Sequence, residues 1–216
     1  MSDLLQKEKK KVLNLRIKQN IENKEWQKLI AALPVAEEAK ISTSLLRKAW
    51  IYGGEYLFEK KDWVNVITFY NKARSINPST VVVFDKLIQA FNLFFEQFKD
   101  KFSKQDLKTL RDPLILMIDY HEINFPKHQP LIEIGKELIQ KIDYKIKYVA
   151  TDQVETAATF KVQQIYNAIY DDMTFEQLRS EFARIIEPTV RELLDKKEKE
   201  TKKEKNKKSK MDKKKK

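Results

Sequence analysis

Two histidines, His121 and His128, stand in the segment DYHEINFPKHQP, with Asp119 and Glu122 beside the first. Imidazole nitrogens and carboxylate oxygens are the ligands a metal site needs, and a histidine near a carboxylate is a common general acid–base pair. The spacing of seven, interrupted by Pro126, matches no zinc pattern, and nothing nearby supplies an oriented nucleophile or a set of oxyanion donors. The expectation is two surface-loop histidines, with no metal, no cofactor and no catalytic residue. Cysteine is absent from the chain, which excludes disulfides, thiolate zinc sites, iron–sulfur clusters and a cysteine nucleophile. Gly53-Gly54 is the one glycine pair, and it lies inside a helical pattern rather than a phosphate-cradling loop. It predicts close helix packing, not nucleotide binding.

Two further groups could contact a nucleic acid. Trp26, Trp50, Trp63, Phe91 and Phe95 have the flat faces that stack on bases, but they recur at helical spacing and do not alternate with Lys and Arg, so they are expected in the core. The C-terminal stretch is different. From Asp195 to Lys216 there are thirteen lysines against five acidic residues, a net +8 of the chain's +11. This segment has no apolar content to bury and is expected to be disordered or a frayed helix. Lys202, Lys203, Lys205, Lys207, Lys208, Lys210, Lys213, Lys214, Lys215 and Lys216 could neutralise phosphates of RNA or a ribosome, or sit on an anionic surface. Lysine is a point charge without the planar fork of arginine, so sequence-specific reading is not expected. The alternative is a merely solubilising end.

The elements that would position such residues are helical. Glycine numbers 3 and proline 6 in 216 residues, which suits an all-α chain and disfavours a turn-rich β architecture. Apolar residues recur with helical period over residues 4–22 (Leu4, Leu5, Val12, Leu13, Ile17, Ile21), and Trp26 to Leu33 forms a second helix that ends at Pro34. Over Ala49–Pro78, Trp50, Gly53, Gly54 and Leu57 mark one helix, Lys60-Lys61-Asp62 an elbow, and Trp63, Val66, Ile67, Tyr70 and Ala73 a second helix stopped by Pro78. A strongly aromatic helix follows over Val81–Lys99, capped by Ser79 or Thr80. Ser103 caps a short helix, Asp112-Pro113 starts another, and Pro126 and Pro130 bracket a loop before a helix through Leu131, Leu138 and Ile142. A last pair covers residues 152–186, with Val162, Ile165, Tyr166 and Ile169 in its first helix and a Thr174/Gln177 capping box opening its second.

The spacing of Trp50, Gly54, Leu57, Trp63, Val66, Tyr70, Ala73 and Pro78 resembles a tetratricopeptide repeat, clearest over residues 47–80. Gly53 stands where that family has Leu, and Val66 where it has a small Ala. Trp26, Leu29, Leu33 and Ala36 align with Trp63, Val66, Tyr70 and Ala73 as a degenerate pair of the same type. The resemblance implies an antiparallel helix-hairpin superhelix of three or four irregular repeats over residues 1–194, followed by the basic tail 195–216. It also implies a concave groove lined by Lys48, Ile51, Glu55, Phe58 and Glu59, and by Val82, Asp85, Gln89 and Asn92 of the next helix. Mixed apolar and acidic, this face suits a neutral or basic peptide or helix. The Lys, Asn and Arg set that clamps chaperone C-termini in some members is not reproduced. The resulting expectation is a non-enzymatic protein–protein adaptor without a small-molecule substrate, with RNA or ribosome association through the tail as the alternative. The N-terminus has no uninterrupted apolar stretch and no run approaches a membrane span, so the expected location is the cytoplasm.

Overall fold

Each of the first three helix ends closes in the same way. Lys24, Lys40 and Lys61 adopt left-handed backbone conformations, with φ of 57°, 50° and 58°. The next amide in each case reaches back to a carbonyl five residues earlier: Glu25 N–H to Asn20, Ile41 N–H to Ala36 and Asp62 N–H to Leu57. This is the Schellman closure, which satisfies carbonyls that a helix end otherwise leaves unpaired. A Cβ in this region costs about 1 kcal/mol, so Lys61→Gly is expected to raise stability by up to about 1 kcal/mol, measured by denaturant unfolding.

A computed structural model describes residues 2–149 and 157–171. Among them are eight α-helices: α1 Ser2–Glu22, α2 Trp26–Glu38, α3 Thr43–Glu59, α4 Trp63–Ile76, α5 Val81–Phe98, α6 Lys104–Asn124, α7 Gln129–Tyr148 and α8 Ala157–Asp171. One 3-10 turn, Pro126–His128, joins α6 to α7. No strand occurs among the described residues, which belong to one compact unit, Met1–Asp172. No described helix is long and apolar enough to cross a membrane. The fold is all-α and built from antiparallel hairpins. Consecutive helices α1 to α5 pack on one another, α6 packs on α7, and α1 also touches α3 as α5 touches α7.

The α3–α4 hairpin is held by rings set into a glycine notch. A Cβ on Gly53 would lie 2.7 Å from the Phe69 ring, and one on Gly54 would lie 3.1 Å from Tyr70. Trp50 meets Phe69 edge-on at 4.7 Å between centroids, and Phe58 meets Trp63 likewise at 5.2 Å. Gly53 is where the repeat family has Leu, and the Phe69 ring fills the space that Leu would take.

Several sequence expectations are corrected. Helix α2 does not end at Pro34 but runs through it to Glu38. Pro34 faces solvent, where the lost backbone bond is least costly. Asp112-Pro113 starts no helix, because α6 is continuous from Lys104 to Asn124. Ser103 caps it in a reciprocal box with Asp106, and Pro113, Leu114, Met117 and Ile118 are buried, which offsets the backbone bond that proline removes. The loop between Pro126 and Pro130 contracts to a single 3-10 turn, with Pro130 in the first turn of α7 where its missing N–H is not needed. In α1, Leu13 and Ile17 are buried as expected, but Val12 is exposed.

The last described helix breaks the simple hairpin succession. Helix α8, which buries Val162, Ile165 and Ile169, packs on both α4 and α6. Thr159 Oγ1 donates to the Asp106 carboxylate of the α6 cap at 3.1 Å, and Asn71 Nδ2 of α4 donates to the Ala168 carbonyl at 3.2 Å. The rest of the expected final pair, with Phe175, Leu178, Phe182 and Ile185, lies outside the described residues, as does the lysine tail.

Candidate functional site

The two histidines are not in a surface loop. His121 on α6 is 0 % exposed and His128 in the 3-10 turn is 2 % exposed. Helix α6 delivers His121 to the interior one turn beyond Met117, and the turn at Pro126–His128 folds the second ring back over the first. Their Nδ1 atoms lie 2.9 Å apart, and the His121 ring stacks on Phe84 of α5 at 3.7 Å between centroids and 4° between planes. Phe125 flanks both rings. One Nδ1 must carry a proton and the other must accept it. His121 Nε2 is buried without a hydrogen-bond partner. The tautomer that leaves no buried N–H unpaired there has His121 donating through Nδ1 to His128. Burial, then the nearby Arg74 charge and then His128, lower the His121 pKa from 6.5 to about 3. The pair is therefore a core hydrogen bond in which His121 is neutral, turned away from solvent. No group of three or more His, Cys, Asp or Glu that could hold a metal occurs among the described residues.

Arg74 and Asn71, which sequence reasoning did not single out, complete this polar core. Asn71 Oδ1 accepts from Arg74 Nε at 3.1 Å and Nη2 at 2.8 Å, and both residues are buried on α4. Their spacing of three on the helix face that also carries Ile67 and Tyr70 is the one sequence signal that pointed inward.

The expected groove residues lie on two adjacent helices. Lys86 of α5 places its ammonium 4.6 Å from the Phe58 ring of α3, and Arg47 of α3 donates to the Thr80 hydroxyl at the start of α5. On α3, Lys48, Glu55 and Glu59 are exposed and Ile51 and Phe58 are half-buried. On α5, Val82 is exposed, while Asp85, Gln89 and Asn92 are half-buried. The structure places these residues on two neighbouring helices, but three of them are already engaged: Phe58 lies between Trp63 and Lys86, and the Asp85 carboxylate accepts from Gln89 Nε2 at 2.9 Å. Glu55 and Glu59, one turn apart, have no ion-pair partner among the described residues. The Glu55 charge is felt below: burial first, then Glu55, pushes the Tyr70 hydroxyl well above its ordinary range.

Comparison with protein-family models, with curated proteins and with solved structures gives no significant match to this chain.

Proposed function

We propose that this protein is a non-enzymatic interaction module that holds a peptide or helix of another protein along the α3–α5 face, in the manner of tetratricopeptide repeats. The observation that carries this reading is the pair of exposed carboxylates of Glu55 and Glu59, without an ion-pair partner among the described residues, next to half-buried Ile51 and Phe58 on the same helix. An acidic ridge over partly apolar ground suits a neutral or basic segment, which gains both charge complementarity and apolar contact. The inward placement of His121 and His128 supports a binding role rather than a catalytic one, because neither ring can meet a substrate without opening the core.

Affinity purification with the full chain tests this. The double variant Glu55→Lys/Glu59→Lys is expected to lose most of the partner recovered by the wild type, about tenfold or more for a charge-reversed contact, while retaining its helical content. Recovery of every partner by the variant would remove the α3–α5 face from consideration. The concentration of +8 in residues 195–216 favours a second reading, RNA or ribosome association through the tail. That reading predicts co-sedimentation with RNA that falls steeply with salt and disappears on deleting residues 195–216. Association that survives the deletion would eliminate it.

A further inference from the structure

The N-terminal end of α3 meets a basic helix. Residues 7–18 of α1 include six basic residues, Lys7, Lys9, Lys10, Lys11, Arg16 and Lys18, against the single acid Glu8. The helix is held by Leu13 and Ile17, yet Val12 and Leu15 on its outer surface are 64 % and 58 % exposed. Leu15 does not stand on a bare ridge. Together with Lys11, Asn14 and Lys18 of α1, and Ser42 and Leu45 at the start of α3, it lines a groove of about 400 Å³. The Ser42 backbone N–H donates to Asn14 Oδ1 at 3.4 Å, and Asn14 Nδ2 donates to the Lys10 carbonyl at 2.9 Å, which ties the two walls together. Lys11 and Lys18 are two helical turns apart, about 10 Å along the axis, and neither has an ion-pair or hydrogen-bond partner among the described residues.

We propose that this α1–α3 groove docks an acidic peptide segment of another protein, anchored by one large apolar side chain. Two leucines beneath a rim of free ammonium groups form the anatomy of a small recognition site. An apolar anchor leaves water against Leu15 and Leu45, while carboxylates on either side of it meet Lys11 and Lys18. The shape argues against a bilayer, because Leu45 lies in a concave groove that a flat lipid surface does not enter. The chemistry argues against RNA, because the groove offers no aromatic ring on which a base could stack and no guanidinium among its lining residues. The site does not depend on the α3–α5 face. Taken together, the two faces would sort partners by charge, with basic or neutral segments on the Glu55/Glu59 side and acidic segments on the Lys11/Lys18 side.

The test uses the full chain and fluorescence anisotropy at physiological salt. One probe is a labelled peptide of Asp and Glu around a central Phe, and the other is the same peptide with Ala in place of Phe. The wild type is expected to bind the Phe peptide about tenfold or more tighter than the Ala peptide, the factor expected for burying one ring. Lys11→Glu/Lys18→Glu is expected to weaken the Phe peptide about tenfold or more, and Leu15→Ser to erase the preference for Phe. The lysine tail is identical in all three proteins, so its nonspecific attraction cancels, and the substituted side chains are exposed, so circular dichroism should be unchanged. Equal binding of both peptides by the wild type, or wild-type binding by both variants, overturns the proposal. So does an outcome in which the variants lose phosphatidylserine vesicles or oligouridylate while keeping the Phe peptide.

Discussion

Replacing Gly53 with leucine is expected to cost more than about 3 kcal/mol, a fall of roughly 10 °C in the thermal midpoint. The Cβ alone would stand 2.7 and 2.9 Å from two Phe69 ring carbons, and 3.5 Å from Ile30 on the neighbouring helix. Phe69 cannot swing aside freely, since it is buried and set edge-on against Trp50. Three further carbons would have to enter the same space, prising α3 from α4. Gly53→Ala poses a smaller contest. Alanine gains about 1 kcal/mol of helix propensity over glycine, against an overpacking cost of about 1–3 kcal/mol, so a net loss of about 1 kcal/mol is expected. The mechanism is checked by a double-mutant cycle. Phe69→Ala opens the room that leucine needs, so Gly53→Leu should be markedly less damaging in that background, with a coupling of about 1 kcal/mol or more in urea unfolding. Additive losses would show that the notch does not act through Phe69.

Acidification is expected to destabilise the fold in a window where ordinary carboxylates are silent. His121 keeps its neutral form in the folded state down to about pH 3, while the unfolded chain protonates it near its ordinary value of 6.5. Below about pH 6.5 the unfolded state therefore binds the extra proton, and stability falls as pH drops toward 3. The slope is at most about 1.4 kcal/mol per pH unit. The carboxylate of Asp100, paired with Lys145 at 2.7 Å, is held below its ordinary value of 3.8, so its own contribution to the slope begins only below about pH 5, as the unfolded chain starts to protonate it. Urea unfolding at several pH values between about 7 and 5 reads the effect. His121→Phe keeps a flat ring against Phe84 and should flatten the slope, although it leaves His128 Nδ1 without its partner and lowers stability at pH 7. Equal slopes for the wild type and the variant would show that His121 is not the group that titrates.

The fate of His121 and His128 shows how far residue types can be read without coordinates. Their spacing ruled out a zinc pattern, yet the same spacing carried no sign of burial. A histidine after a proline-interrupted stretch reads as loop, because proline normally ends a helix. Here Pro113 sits inside α6 and Pro126 opens a single turn, so the segment stays tightly coupled to the core. Burial of both rings depends on α5 supplying the Phe84 face, a residue 37 positions before His121. No local pattern encodes that meeting. The α1–α3 groove was hidden for a similar reason: Val12 looked like part of the buried stripe, and only the packing of α1 on α2 and α3 decided which apolar residues remained outside.

What the sequence determined by itself was the helical class, the hairpin from Trp50 to Pro78, the glycine notch and the uneven placement of charge. Those features follow from periodicity and composition, which act over a few turns of chain. Tertiary structure decided the partners of each surface. It set Phe69 over Gly53, folded the histidine pair inward against Phe84, lodged α8 against α4 and α6, and formed a lysine-rimmed groove between α1 and α3. Each of these joins residues distant in the chain, where the free energy of contact depends on shape and desolvation that no local spacing records.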